Sequence, residues 1–353
     1  MKNKHLLCIT PDFNRSGAPI ALLRLITILK TSESITITVM AYGKGDLWAP
    51  YTDLLGENHV IILNGLNPST EFRTGLQSHY DIILLNTAAV YPFSFFFQNT
   101  DIPVIWWTHE APELIVDSFP AFPNPHLLSP NFKICTPSKG AAERFRSDYS
   151  YDPYVLPAPV SQTDLNEPDL MIDIPEGRVV FFIPGAYSYI KGQDILLSAV
   201  LSLPHDLKNR SYFIFCGYTL DKQLEYKRAI TDTASRMDNV LMLENLSQDT
   251  VYSLMKRSHC IAAPSRIDCL PTTIAEGFMF KKLCLVSDRT GISAYMKDCV
   301  NGFIFKDHDD LVKRLMLIIS DFDSLGNISE NGYEIYKQIF SPDSVLSVIK
   351  DLF

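Results

Sequence analysis

The sequence has no paired cysteines, no long apolar run, no basic excess and no internal repeat, and each absence narrows what the chain does. Its seven cysteines, at positions 8, 135, 216, 260, 269, 284 and 299, are odd in number and include no C-x-x-C pair. Neither structural zinc nor a disulfide framework is expected from them. Within apolar runs such as Phe213-Ile214-Phe215-Cys216, cysteine serves as a small hydrophobe. No apolar run approaches the roughly 18 residues that a membrane span requires. The apolar stretch after Met1-Lys2-Asn3-Lys4 is too short for a secretory signal and reads better as a first buried strand. A cytoplasmic chain is expected, with at most peripheral contact at the inner membrane face. The formal net charge is -9, and 11 Lys+Arg stand against 14 Asp+Glu up to residue 160. A nucleic-acid footprint would need a basic stripe, so that partner is not expected.

What is present is an alternation of short apolar runs with helical patterns. Hydrophobic content of 46% and charged content of 20% fit an ordinary globular enzyme, and 353 residues suggest about two domains. His5–Thr10, Ile35–Tyr42, Val60–Leu63, Asp81–Leu85, Val104–Trp107, Phe132–Thr136 and Tyr154–Leu156 read as strands. Between the first two, Leu22, Leu25, Ile26 and Leu29 fall on one face of a helix. The pattern restarts with strands at Val179–Ile183, Tyr212–Cys216, Val240–Leu243, Cys260–Ala263 and Leu283–Ser287, and helices follow Asp307. Such alternation predicts parallel sheets with crossover helices. The polar, acidic segment 161–177 reads as a linker between a first domain, 1–160, and a second, 178–335.

The stretch Ser265-Arg266-Ile267-Asp268-Cys269-Leu270-Pro271-Thr272-Thr273-Ile274-Ala275-Glu276-Gly277 carries the most information. It follows the apolar run Cys260–Ala263, so Asp268 falls in a strand-to-helix loop and Glu276 on the helix behind it. In α/β sheets that edge is where ligands bind, and free amides at a helix start suit a phosphate. Two carboxylates at this spacing also arise by chance, with the first capping its own helix.

The flanks decide for function. The stretch resembles the E-x7-E signature of retaining family-4 glycosyltransferases of the GT-B fold, with Asp268 at the first Glu and Glu276 at the second. The resemblance extends through Gly185–Asp194 and Ser287–Phe305 and covers most of the chain. It implies two doubly wound Rossmann-like domains facing a central cleft, with a C-terminal segment, 336–353, packing back on the first. It also implies a nucleotide diphosphate sugar as donor, no cofactor and no metal. On this resemblance Glu276 holds the donor ribose, and Asp268 and His109, in Trp106-Trp107-Thr108-His109-Glu110, hold the transferred sugar. Lys191, in Gly185-Ala186-Tyr187-Ser188-Tyr189-Ile190-Lys191-Gly192, neutralises the leaving diphosphate. Gly185, Gly17, Arg266, Leu270 and Thr272 are assigned to donor binding as well. Where the family usually has Arg after the Gly, this chain has Ala186; Arg266 or Arg15 is the candidate for the second cation.

Three other segments invite functional readings and are given structural ones. His109-Glu110-Ala111-Pro112-Glu113 lacks the second His of a metal site, and Pro112 blocks the helix such a site needs. Asp307-His308-Asp309 spells a D-x-D triplet but is explained by helix capping. Tyr91–Phe97 is aromatic enough to rim a lipid acceptor, yet core packing explains it better. Asn301-Gly302 reads as a hairpin-like turn.

The expected activity is transfer of a hexosyl-type unit to a hydroxyl of a glycan or lipid-linked glycan, of the cell-surface polysaccharide type. The alternatives are a non-catalytic GT-B partner or chaperone of another transferase, and a GT-B sugar-nucleotide epimerase.

Overall fold

A computed structural model of the chain describes residues 4–32, 35–63, 65, 69–161 and 172–353. It divides into two compact units, Met1–Pro159 with Phe340–Phe353, and Val160–Ile339. Of the linker expected over 161–177, residues 162–171 lie outside the described residues.

The first unit is built on β1 (Lys4–Asp12), β2 (Ile35–Gly43), β3 (Val60–Ile62), β4 (Ile82–Asn86), β5 (Val104–Trp107), β6 (Phe132–Thr136) and β7 (Tyr154–Val155). They form one sheet in the order β3-β2-β1-β4-β5-β6-β7, with every pair parallel. A parallel sheet is covered on both faces, so its inner strands read as near-continuous apolar runs. All five residues of β4 and all four of β5 are buried. The helix Gly17–Ser32 turns Leu22, Leu25, Ile26 and Leu29 inward, all fully buried. Phe93, Phe96 and Phe97 join this core, and Phe95 remains exposed.

The chain's last helix, Pro342–Leu352, belongs to this first unit. Ser341 caps it by accepting from the Ser344 N–H, and Pro342 sits in its first turn, where a missing donor costs nothing. Val345, Ile349 and Leu352 are buried, and Lys133 Nζ donates to the Leu352 carbonyl at 2.8 Å.

The second unit repeats the scheme with β8 (Val179–Pro184), β9 (Ser211–Gly217), β10 (Val240–Glu244), β11 (Cys260–Ala263), β12 (Leu283–Ser287) and β13 (Phe303–Phe305). The order is β10-β9-β8-β11-β12-β13, again all parallel. Stacked rings of Phe181 and Phe213, 4.7 Å apart, lie in a core shared with Leu283, Leu285, Leu311 and Leu315. The hairpin-like turn expected at Asn301-Gly302 is not one. The residues after it pair parallel to β12, as β13, so the chain has crossed over rather than folded back. The Asp307 triplet does cap a helix: Asp307 Oδ1 accepts from the Asp310 N–H at 2.9 Å, opening His308–Asp321.

Six cysteines are buried, and Cys299, beside Arg314, is exposed. Among the described residues no helix is long and apolar enough to cross a membrane.

All three tryptophans, at 48, 106 and 107, fall in the first unit, so tryptophan fluorescence reads that unit alone. Ile349→Ala empties a buried position of the last helix and should cost about 2–5 kcal/mol. A lowered urea midpoint by tryptophan fluorescence is the expected result; an unchanged midpoint would mean that the helix adds nothing to this unit.

Candidate functional site

In each unit the strand order reverses once: between β1 and β4 in the first, and between β8 and β11 in the second. The loops leaving the carboxyl ends of such a pair diverge to opposite sides, opening the crevice where α/β sheets bind ligands. The predicted site residues of the second unit follow β8 and β11.

The loop after β8 begins at Gly185, whose N–H donates to the Cys216 carbonyl at 2.8 Å. Buried Gln193 reaches back, its Nε2 donating to the Ala186 carbonyl at 2.9 Å. A 3-10 turn, Tyr189–Lys191, leads to Gly192, the N-cap of the helix Gln193–Leu201. Gly192 has φ +68, and an added Cβ would lie 2.2 Å from the Pro264 carbonyl oxygen. Only glycine takes that conformation cheaply and admits that approach. The two loops are therefore in van der Waals contact, and a hydrogen bond from Arg266 N–H to the Ile190 carbonyl at 2.8 Å joins them again.

The contact places Lys191 Nζ 2.6 Å from Asp268 Oδ2. Burial works against the charge on Lys191, but the Asp268 carboxylate outweighs it and raises the lysine pKa above its ordinary value. Asp268 does not cap the following helix, whose N-cap is Pro271. Its Oδ1 accepts instead from the Leu270 N–H at 3.2 Å, and its backbone bridges to Thr290 and accepts from the Gly291 N–H at 2.7 Å. Thr272 opens the helix Thr272–Met279 and is half-buried.

Glu276 lies in that helix and is only 3% exposed. A buried polar group needs hydrogen bonds, and the Tyr252 hydroxyl donates to Glu276 Oε1 at 3.1 Å. The helix packs closely on β11: a Cβ at Gly277 would meet Ile261 Cγ1 at 2.9 Å.

Arg266 is already engaged. Its guanidinium grips Asp194 through two bonds, 2.8 Å from Nη1 to Oδ1 and 2.6 Å from Nη2 to Oδ2. It also donates to the Tyr189 carbonyl at 2.7 Å and stacks on the Tyr189 ring at 3.8 Å. Burial disfavours the Asp194 carboxylate, but Arg266 and the Tyr226 hydroxyl, at 2.7 Å, outweigh it and hold its pKa low. Arg266 thus clamps the two loops. To serve a donor phosphate it would have to leave a bidentate pair.

The remaining predicted residues belong to the first unit. Arg15 lies 4.0 Å from Asp46, with both side chains largely exposed, a pairing of little energetic weight. Gly17 opens the helix Gly17–Ser32; an added Cβ there would meet nothing within 4 Å, so packing does not demand glycine. His109 follows β5. Its Nε2 lies 2.9 Å from Asn86 Oδ1, and Asn86 Nδ2 donates in turn to Thr10 Oγ1 at 3.1 Å and to the Ala18 carbonyl at 3.3 Å. An amide oxygen only accepts, which assigns the proton of neutral His109 to Nε2. Burial pushes the His109 pKa down to about 3. Glu110 Oε2 accepts from the backbone N–H of Ala88 and of His109, each at 3.0 Å. Burial raises its pKa.

Sequence reasoning missed Asp194 and Tyr226, which hold Arg266, Tyr252, which holds Glu276, and Asn86, which orients His109. Only Asp194 left a signal, three residues after Lys191 at the start of a helix.

The depressed His109 pKa has a signed consequence. Neutral His109 is favoured in the folded state, so its contribution is complete above about pH 6.5 and is lost as pH falls toward about 3. Below about pH 6 the first unit should lose at most about 1.4 kcal/mol per pH unit from this group. His109→Gln retains an amide donor for Asn86 and should flatten the dependence between pH 6 and pH 4, followed by tryptophan fluorescence. Equal slopes in both proteins would show that His109 does not carry it.

Residues 171–335 match the family model described as glycosyl transferases group 1. No curated protein matches the sequence. Among solved structures, the chain is similar to Anabaena HepE in complex with UDP and glucose, with 17% identity, 99% of each chain covered and a TM-score of 0.75. A glycosyltransferase from Rickettsia africae is similar at 16% identity, with 100% of this chain and 99% of that one covered and a TM-score of 0.76. WaaG, a glycosyltransferase involved in lipopolysaccharide biosynthesis, matches at 14% identity over 98% of each chain, with a TM-score of 0.71. At these identities the likeness establishes the fold. The chain has the GT-B fold of two parallel-sheet α/β domains, with the match to the glycosyl transferases group 1 model lying in the second unit.

Proposed function

We propose that the protein is a retaining, metal-independent glycosyltransferase of the family-4 type. It moves a hexosyl-type unit from a nucleotide diphosphate sugar to a hydroxyl of a glycan or lipid-linked glycan. The observation that carries this reading is the Lys191–Asp268 contact. Two loops leaving adjacent strands at the switch point bring one cation and one carboxylate together, with the buried Glu276 on the helix that follows the second loop, within the segment that matches the family model.

In this reading Lys191 takes the diphosphate, where negative charge grows as the glycosidic bond breaks, and the free amides at Thr272 face the same oxygens. Gly185 and Leu270 line the donor through their backbone. Glu276 accepts from the ribose hydroxyls, with Tyr252 fixing its carboxylate. Asp268 holds hydroxyls of the transferred sugar, a role that the family resemblance also gives to His109, and Arg15 and Gly17 keep the donor-binding assignment made from that resemblance. The bond from the anomeric carbon to the phosphate oxygen breaks, and the bond to the acceptor oxygen forms on the same face. The acceptor proton passes to the departing β-phosphate. Arg266 acts through Asp194, as the clamp that keeps Asp268 beside Lys191. A UDP-sugar is the first donor to try, since HepE was crystallised with UDP-glucose. A surface-glycan acceptor is supported by the likeness to WaaG.

The test is a thermal-shift titration with UDP, GDP, ADP, CMP and dTDP, with and without EDTA. A nucleotide at a hundredfold excess over its dissociation constant stabilises by about 2.7 kcal/mol. The expected result is one responding nucleotide, an effect that survives EDTA, and its loss in Glu276→Ala. No response to any nucleotide would favour a non-catalytic partner of another transferase, a reading that Ala186 and the engaged Arg266 make specific. Isomerised sugar nucleotide in an acceptor-free reaction would instead mark an epimerase.

A further inference from the structure

Lys191 does not stand as a bare cation. Its ammonium is bound by Asp268 Oδ2 at 2.6 Å, and the Ser265 hydroxyl lies 3.5 Å from the same oxygen. In the donor reading the two partners serve different parts of one molecule: Lys191 the diphosphate, Asp268 the sugar. A diphosphate that reaches Lys191 must share the ammonium with Asp268. It also brings negative charge to within one hydrogen bond of a carboxylate.

Asp268 cannot swing aside to relieve this. Its backbone is bridged to Thr290 and bonded by the Gly291 N–H, and its Oδ1 is held by the Leu270 N–H. The backbone that carries Lys191 is fixed too, since Gly192 lies against the Pro264 carbonyl and Arg266 ties the loops through Ile190 and Asp194. The repulsion must therefore be compensated by the ligand itself. An intact nucleotide sugar does so, because its hydroxyls donate to Asp268 in place of the share of Lys191 it has taken. A nucleoside diphosphate has no such hydroxyls.

We infer that Asp268 is a specificity-determining residue that favours the intact donor over the nucleoside diphosphate left after transfer, through its competition for Lys191. The pair then works in both directions of the cycle. It tolerates the donor on entry and weakens the hold on the product once the sugar has gone. This inference rests on the donor reading above and assigns Asp268 a second task within it.

The experiment is isothermal titration of the wild type, Asp268→Asn, Lys191→Met and the double variant with UDP and with UDP-glucose. Should the nucleotide panel select another base, that diphosphate and its glucose conjugate replace them. Asparagine keeps an oxygen for the Leu270 N–H and removes the charge. Asp268→Asn should bind the diphosphate roughly threefold to tenfold more tightly than the wild type, without a matching gain for the sugar nucleotide. In the Lys191→Met background the same substitution should bring no such gain, which isolates the coupling between the two residues. Asp268→Glu retains the charge and should retain the preference. The inference is overturned if folded Asp268→Asn binds the diphosphate no more tightly, or if the gain persists without Lys191. If Asn is not tolerated, as judged by circular dichroism, Asp268→Ser provides the same comparison. A wild type that binds no nucleotide at all overturns the donor reading itself, a result distinct from either of these.

Discussion

Parallel strands covered on both faces leave little room for charged groups except where the strands end. Every other feature of this protein follows from that constraint. The strands β4, β5, β11 and β12 are buried along their whole length, and none carries a charged residue. Charged side chains collect in the loops beyond their carboxyl ends, where the β8 and β11 loops diverge at the reversal of strand order. There Lys191 and Asp268 meet across 77 residues of sequence. The meeting depends on a position without a side chain, Gly192, because any Cβ there would strike the Pro264 carbonyl.

The same constraint explains what was legible in the sequence. A buried parallel strand is written as an unbroken apolar run, so the strands expected at Asp81–Leu85, Val104–Trp107 and Cys260–Ala263 are found, the first running one residue later as Ile82–Asn86. Glycine and proline at the loops gave the helix starts after β8 and β11. The strand β13 was missed because Phe303-Ile304-Phe305 is short and follows Asn-Gly, a pair that suggests a hairpin when no partner strand is known. Local signals specify a turn; only the sheet decides the direction in which the chain continues.

Side chains that act by holding others were beyond sequence reasoning for a related reason. Tyr252 reaches Glu276 across 24 residues, Asn86 reaches His109 across 23, and Arg266 reaches Asp194 across 72. Hydrogen bonds of this kind have no period and no fixed spacing. Arg266 is the instructive case. From sequence it was one of two cations that could have replaced the arginine absent at Ala186. In three dimensions its charge is spent on Asp194, its plane on Tyr189, and its backbone on Ile190. The same residue that sequence would put against a ligand is used to keep two loops in register. The second unit therefore presents Lys191 with a counter-ion in Asp268 and with Ala186, not a second cation, near the start of the same loop.

The distribution of two rare residue types has a practical consequence. The tryptophans all reside in the first unit, and the exposed cysteine, Cys299, resides in the second, while the other six thiols are buried. A thiol-reactive acceptor dye would therefore attach at one place in the natural sequence, with every tryptophan on the other unit. Resonance energy transfer from tryptophan to that dye would be a built-in ruler for the separation of the two units, readable in solution as ligands are added.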